Sequence, residues 1–82
     1  MTMEVFEYQV YARGKLKAGF NDLDLAKEYA KSWTIAENCN AQVVNAFTGE
    51  LHYESDAICT VVYRNELEVL EKIYEVKEWV AD

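Results

Sequence analysis

Proline is absent from this 82-residue sequence, glycine occurs three times, cysteine twice and histidine once. Two cysteines cannot staple a small scaffold into a disulfide framework. With no CxxC and no neighbouring pair of histidines they do not make a zinc site either. No apolar run exceeds a few residues, which excludes a spanning helix from the sequence pattern. The first ten residues, MTMEVFEYQV, show neither a basic n-region nor an apolar h-region. The expectation is therefore a cytoplasmic protein whose two thiols, Cys39 and Cys59, are reduced and partly buried. GxGxxG, P-loop, HExxH and EF-hand patterns are all missing. A single histidine, His52, has no oriented partner at strand spacing, so no catalytic residue is expected. The acids run in a line rather than converging on a point, so neither a metal site nor a cofactor is expected.

Hydrophobic residues make up 51% of the chain and aromatics 13%, enough for one real core and too much for a disordered tail. One α+β domain spanning residues 1–82 is the natural organisation. The formal net charge is −7. A direct nucleic-acid binder needs the opposite sign, and an anionic membrane surface is disfavoured for the same reason. A protein partner with a basic surface is favoured instead. The charge is uneven: residues 1–49 carry a net of −1 and residues 50–82 a net of −6.

Along the chain, Phe6, Tyr8, Val10 and Ala12 alternate with polar positions, and Arg13-Gly14 offers a tight turn. Leu16, Ala18 and Phe20 then read as the inward face of a return strand, completing a hairpin. Asn21 serves as the N-cap of a first helix, with Phe20 and Leu25 as a hydrophobic staple. Leu23, Ala26, Ala30 and Trp33 form its apolar stripe, and it ends near Glu37-Asn38. A second hairpin follows, Ala41 to Phe47 and Glu50 to Glu54, turning at Thr48-Gly49. Residues 57–63, AICTVVY, favour a further strand by their β-branched content. A rival helical stripe through Ile58, Val62 and Asn65 would instead start the last helix near Asp56. The spacing of Leu67, Leu70, Ile73, Tyr74, Val76 and Val80 predicts a helix over 66–81. The expected fold is thus ββαβββα, one antiparallel sheet packed against two helices.

On that final helix Glu68, Glu71, Glu75, Glu78 and Asp82 recur at +3, +4, +3, +4 and would form one acidic stripe about 20 Å long. Like charges at these spacings, close to a helix C-terminus, cost folding energy. That makes the stripe a candidate for meeting a basic groove, set against the plain reading of an ordinary solvated face. Tyr74 and Trp79 are candidate interface anchors on the same element, whereas Trp33 reads as core. The broad apolar surface of that element also suggests a homodimer.

A single small acidic α+β domain with no catalytic signature resembles, at the level of class, the phage- or mobile-element-encoded inhibitors of host nucleic-acid enzymes, of anti-CRISPR or anti-restriction type. The resemblance implies a non-enzymatic inhibitor that occupies a basic or nucleic-acid-binding surface of a host complex. Lys15, Lys17, Lys27 and Lys31 depart from a uniformly acidic mimic, so such mimicry would be confined to the C-terminal half. The competing expectation is a structural homodimer joined through the last helix.

Overall fold

The computed structural model describes residues 6–64 and 69–81, with the side chains of 62–64 and 69–71 left aside. The element order is β1 (Tyr8–Ala12), β2 (Lys15–Phe20), α1 (Leu23–Glu37), β3 (Ala41–Asn45), β4 (Leu51–Arg64) and β5 (Val69–Val80). All five strands belong to one sheet of order β2-β1-β3-β4-β5, and every neighbouring pair is antiparallel.

The first hairpin forms where alternation and turn chemistry agree. Arg13 and Gly14 both take positive φ (55° and 76°), as a two-residue loop that matches strand twist requires. Val10 and Ala12 are buried. The return strand departs from simple alternation. Its register slips between Val10 and Tyr11, so that Ala18 faces Val10 while Leu16 faces Tyr11 and Lys17 is the extra residue. Leu16 is therefore exposed at 55%, and the Lys17 ammonium sits 4.9 Å from the centroid of the Trp33 ring. A bulge inverts the faces on either side of it, which is why Leu16 is not inward as its spacing suggested.

Helix α1 is capped by Asp22, not by Asn21. The Asp22 carboxylate accepts from the Asp24 and Leu25 amides at 2.9 and 3.4 Å. Asn21 Oδ1 instead accepts from the Glu7 amide at 3.1 Å, tying the helix entry to the chain before β1. The shift of one residue removes the Phe20–Leu25 staple and leaves Leu25 exposed. Asn38 ends the helix in the left-handed conformation, φ 49° and ψ 47°. Ala26, Ala30 and Thr34 are fully buried against Val10, Ala41, Val43 and Tyr53. Two alanines let the helix lie close on the sheet. Tyr8, Phe20, Leu23, Tyr29 and Trp33 fill the margin of this core.

The second hairpin turns on Asn45, whose side chain accepts from the Phe47 and Thr48 amides at 2.8 and 3.1 Å, with Gly49 at φ 76°. His52 is the extra residue of a second bulge, since Val43 faces Tyr53 while Val44 faces Leu51.

The C-terminal third corrects the expected fold. Among the described residues there is no second helix: Val69–Val80 is a twelve-residue strand. The segment 57–63 is not a separate strand but the outer half of the fourteen-residue β4. The order is ββαβββ rather than ββαβββα. Two periods compete in VLEKIYEVKEWV, because Val69, Ile73, Val76 and Val80 fit a helical stripe while the segment is also rich in β-branched and aromatic residues. The deciding factor is the partner. The backbone edge of Asp56–Arg64 needs a neighbour, and β5 pairs with it continuously from Tyr53↔Val80 to Arg64↔Val69 without a register shift. Strand pairing also sets Lys77 opposite Asp56, whereas a helix would stack Glu71, Glu75 and Glu78 beside one another.

Candidate functional site

Strand β3 accompanies β4 only as far as Ser55. From Asp56 outward, β4 and β5 form a two-stranded arm that runs about 30 Å beyond the helix-covered sheet, at the ~3.4 Å rise of an antiparallel strand. This arm is the candidate site.

Its root is anchored by polar contacts on both faces. On the helix side, Thr34 and Ser55 are both fully buried; their hydroxyl oxygens lie 2.6 Å apart, and Thr34 Oγ1 also donates to the Ser55 carbonyl at 3.2 Å. One step away, the Tyr53 hydroxyl donates to Glu78 Oε1 at 2.5 Å, and Lys31 Nζ lies 3.3 Å from the same oxygen. The Tyr53 hydrogen bond holds the Glu78 carboxyl below its ordinary range against the opposing effect of burial, and the Lys31 ammonium adds to the downward pull. Burial and the Glu78 carboxylate push the Tyr53 phenol well above its ordinary range. On the other side, Asn40 Nδ2 donates to Asp56 Oδ1 and Gln42 Nε2 to Glu54 Oε2, both at 2.7 Å.

Beyond the root, strand alternation assigns the faces. Ala57, Cys59 and Val61 continue the helix-side face, with Lys72, Tyr74 and Val76 opposite them; Ile58 and Thr60 continue the other, with Ile73 and Glu75 opposite. Ile58, Val61, Ile73, Tyr74, Val76 and Trp79 are all exposed. Apolar side chains thus stand in solvent on both faces of a ribbon one layer thick.

The predicted site residues fall differently from the expected stripe. Tyr74, Glu75, Glu78 and Trp79 lie on β5, and Glu71 occupies a β5 position. Glu68 and Asp82 lie outside the described residues. In a strand, +3/+4 spacing cannot make one line: Glu71, Glu75 and Trp79 share the register of one face, Tyr74 and Glu78 that of the other. Among the described residues the single line of carboxylates that a helix would present is therefore absent, and Glu78 is held by Tyr53 and Lys31. Sequence reasoning missed Thr34, Ser55 and Tyr53 as the anchor of the arm. Their partners are distant in sequence, and only the polar residue at helix position 34, in step with Ala26 and Ala30, signals it.

No protein-family model, no curated protein and no solved structure matches the chain.

His52, the bulge residue near the start of β4, packs edge-on to Tyr8 with ring centroids 5.5 Å apart. Its buried Nε2 has no hydrogen-bond partner among the described residues, and no carboxylate orients it. Cys39 is partly buried, with its thiol 3.6 Å from the Trp33 carbonyl, whereas Cys59 is exposed on the arm; both are free. Among the described residues no group of three or more His, Cys, Asp or Glu side chains converges. No described helix is long and apolar enough to cross a membrane.

Proposed function

We propose that the chain is a non-enzymatic binding module that docks a protein partner through the β4–β5 arm. The observation that carries this reading is the arm itself, a ribbon with exposed Ile58, Val61, Ile73, Tyr74 and Val76 on its two faces. A few anchors, Tyr prominent among them, supply most of the energy of a protein interface, with apolar neighbours completing the buried core inside a polar rim. The net of −6 over residues 50–82 favours a partner with a basic rim and accelerates encounter with it. An inhibitor that occupies a basic or nucleic-acid-binding surface of a host complex is the form of this reading that the charge favours. The acids would then act as a charged rim around the arm, since they do not line up on one face.

The test is comparative capture. The full chain and an Ile58→Ser/Val61→Ser variant, which leaves the root of the arm untouched, are immobilised and exposed to bacterial lysate at low and high salt. The reading expects a basic partner that the parent retains, the variant loses and salt weakens. Equal capture by both, or none by the parent, refutes it.

A further inference from the structure

We propose that the outer edge of β5 pairs with the β5 edge of a second copy of this chain, antiparallel and centred on Tyr74, to make one continuous sheet through both molecules. This deepens the binding-module reading by naming the occupant of one edge of the arm while leaving its two faces for other partners.

Two observations carry it. The first is layer count. A lone two-stranded ribbon is marginal in water, and three or more strands are needed for independent stability. Self-pairing turns two such ribbons into four strands.

The second is the contrast among the free edges of the described sheet. The β2 edge is six residues long and bulged at Lys17, both ways of blocking further pairing. The β4 edge is free only from Asp56 to Arg64, where β3 no longer accompanies it. The β5 edge is twelve residues long and its pairing with β4 is unbroken. Although the chain carries −7, β5 itself holds Glu71, Glu75 and Glu78 against Lys72 and Lys77 and is close to neutral.

The register follows from symmetry and charge. A two-fold axis normal to the sheet keeps the faces matched only when a residue pairs with its own copy on the axis. Axes at Lys72, Glu75, Lys77 or Glu78 put like charges directly opposite, and an axis at Ile73 sets Glu71 against Glu75. An axis at Tyr74 sets Glu71 opposite Lys77 twice, has no like-charge pair, and overlaps the strands from Val69 to Trp79. An axis at Val76 also avoids like pairs but overlaps only from Lys72 to Val80.

The test uses the full chain. Light scattering and sedimentation at about 100 μM, well into the range of micromolar association, should show a dimer. Lys77→Glu and Glu71→Lys should each weaken it about tenfold, and the double exchange should restore it, because 71 and 77 meet only between copies. Since Lys77 also faces Asp56 within the chain, a second measurement avoids that site. In a Cys39→Ser/Cys59→Ser background, Tyr74→Cys places two thiols across the axis at a separation a disulfide spans. Mild oxidation should then give a covalent dimer, and Val76→Cys should not. A monomer at 100 μM overturns the self-pairing while leaving the binding-module reading to the capture comparison. A dimer that crosslinks through Val76→Cys, or that is not restored by the double exchange, overturns the Tyr74 register.

Discussion

Replacing Thr34 with valine conserves shape and removes one hydroxyl from the interior. Thr34 and Ser55 have no solvent exposure and are joined by the 2.6 Å Oγ–Oγ contact and the 3.2 Å bond to the Ser55 carbonyl. The variant leaves the Ser55 hydroxyl and one carbonyl lone pair without that partner, in a place water does not reach. An unsatisfied buried polar group costs about 1–3 kcal/mol, so a loss near 2 kcal/mol is expected. For a domain of this size that lowers the melting temperature by about 8–16 °C. Adding Ser55→Ala removes the stranded hydroxyl. The double variant should regain part of the loss, with a coupling energy of about 1 kcal/mol or more in a double-mutant cycle. Thermal and urea melts at one fixed protein concentration measure all four species; the concentration is held because self-association raises apparent stability. A Thr34→Val chain within about 0.5 kcal/mol of the parent, or strict additivity of the two changes, would refute the claim that this pair anchors the arm.

Glu78 and Glu75 should behave oppositely when changed to glutamine. Glu78→Gln should destabilise by up to about 1 kcal/mol, a modest figure because the carboxylate is more than one third exposed, and Glu75→Gln should be neutral in urea melts. Because the folded Glu78 carboxyl lies below its ordinary range, its stabilisation is present above the unfolded pKa and is lost as pH falls through the folded pKa; an acid titration of stability should flatten there in Glu78→Gln. Asp22→Ala should cost about 1 kcal/mol through loss of the N-cap, and circular dichroism melts should show a smaller effect for Asn21→Ala, whose side chain holds one exposed amide. Tyr53→Phe keeps the ring and frees Glu78 from its hydroxyl, so the Glu78 carboxyl should move back up toward its ordinary range in an NMR titration.

The N-terminal half was legible wherever a local rule sufficed. Alternation from Phe6 to Ala12, the positive-φ pair Arg13-Gly14 and the alanine stripe of α1 all report neighbours within a few residues. Misreadings began where the answer lay across the sheet. The bulges at Lys17 and His52 are invisible to a period-2 count, because an inserted residue reverses the faces without changing composition. Residues 69–80 satisfy a helical and a strand period at once, and only the unpaired edge of Asp56–Arg64 decides between them. The acidic stripe was a consequence of the wrong period: Glu71, Glu75 and Glu78, redistributed by strand geometry, fall on two faces, and Glu78 is committed to Tyr53 and Lys31. Tyr74 and Trp79 are exposed on β5; their candidacy as interface anchors rests on residue type, which does not depend on whether their element is a helix or a strand.

Strand β4 is one continuous stretch of backbone with two different environments. As far as Ser55 it is flanked by β3 and lies beneath α1; from Asp56 it has β5 alone. Amide protons on its first part are released only when the whole domain opens, while those on its outer part need only the ribbon to part. Hydrogen exchange along this single strand should therefore fall into two rate classes with the break at Ser55–Asp56. Raising the protein concentration should slow both classes, because self-association stabilises the folded chain against parting of the ribbon and against global opening alike.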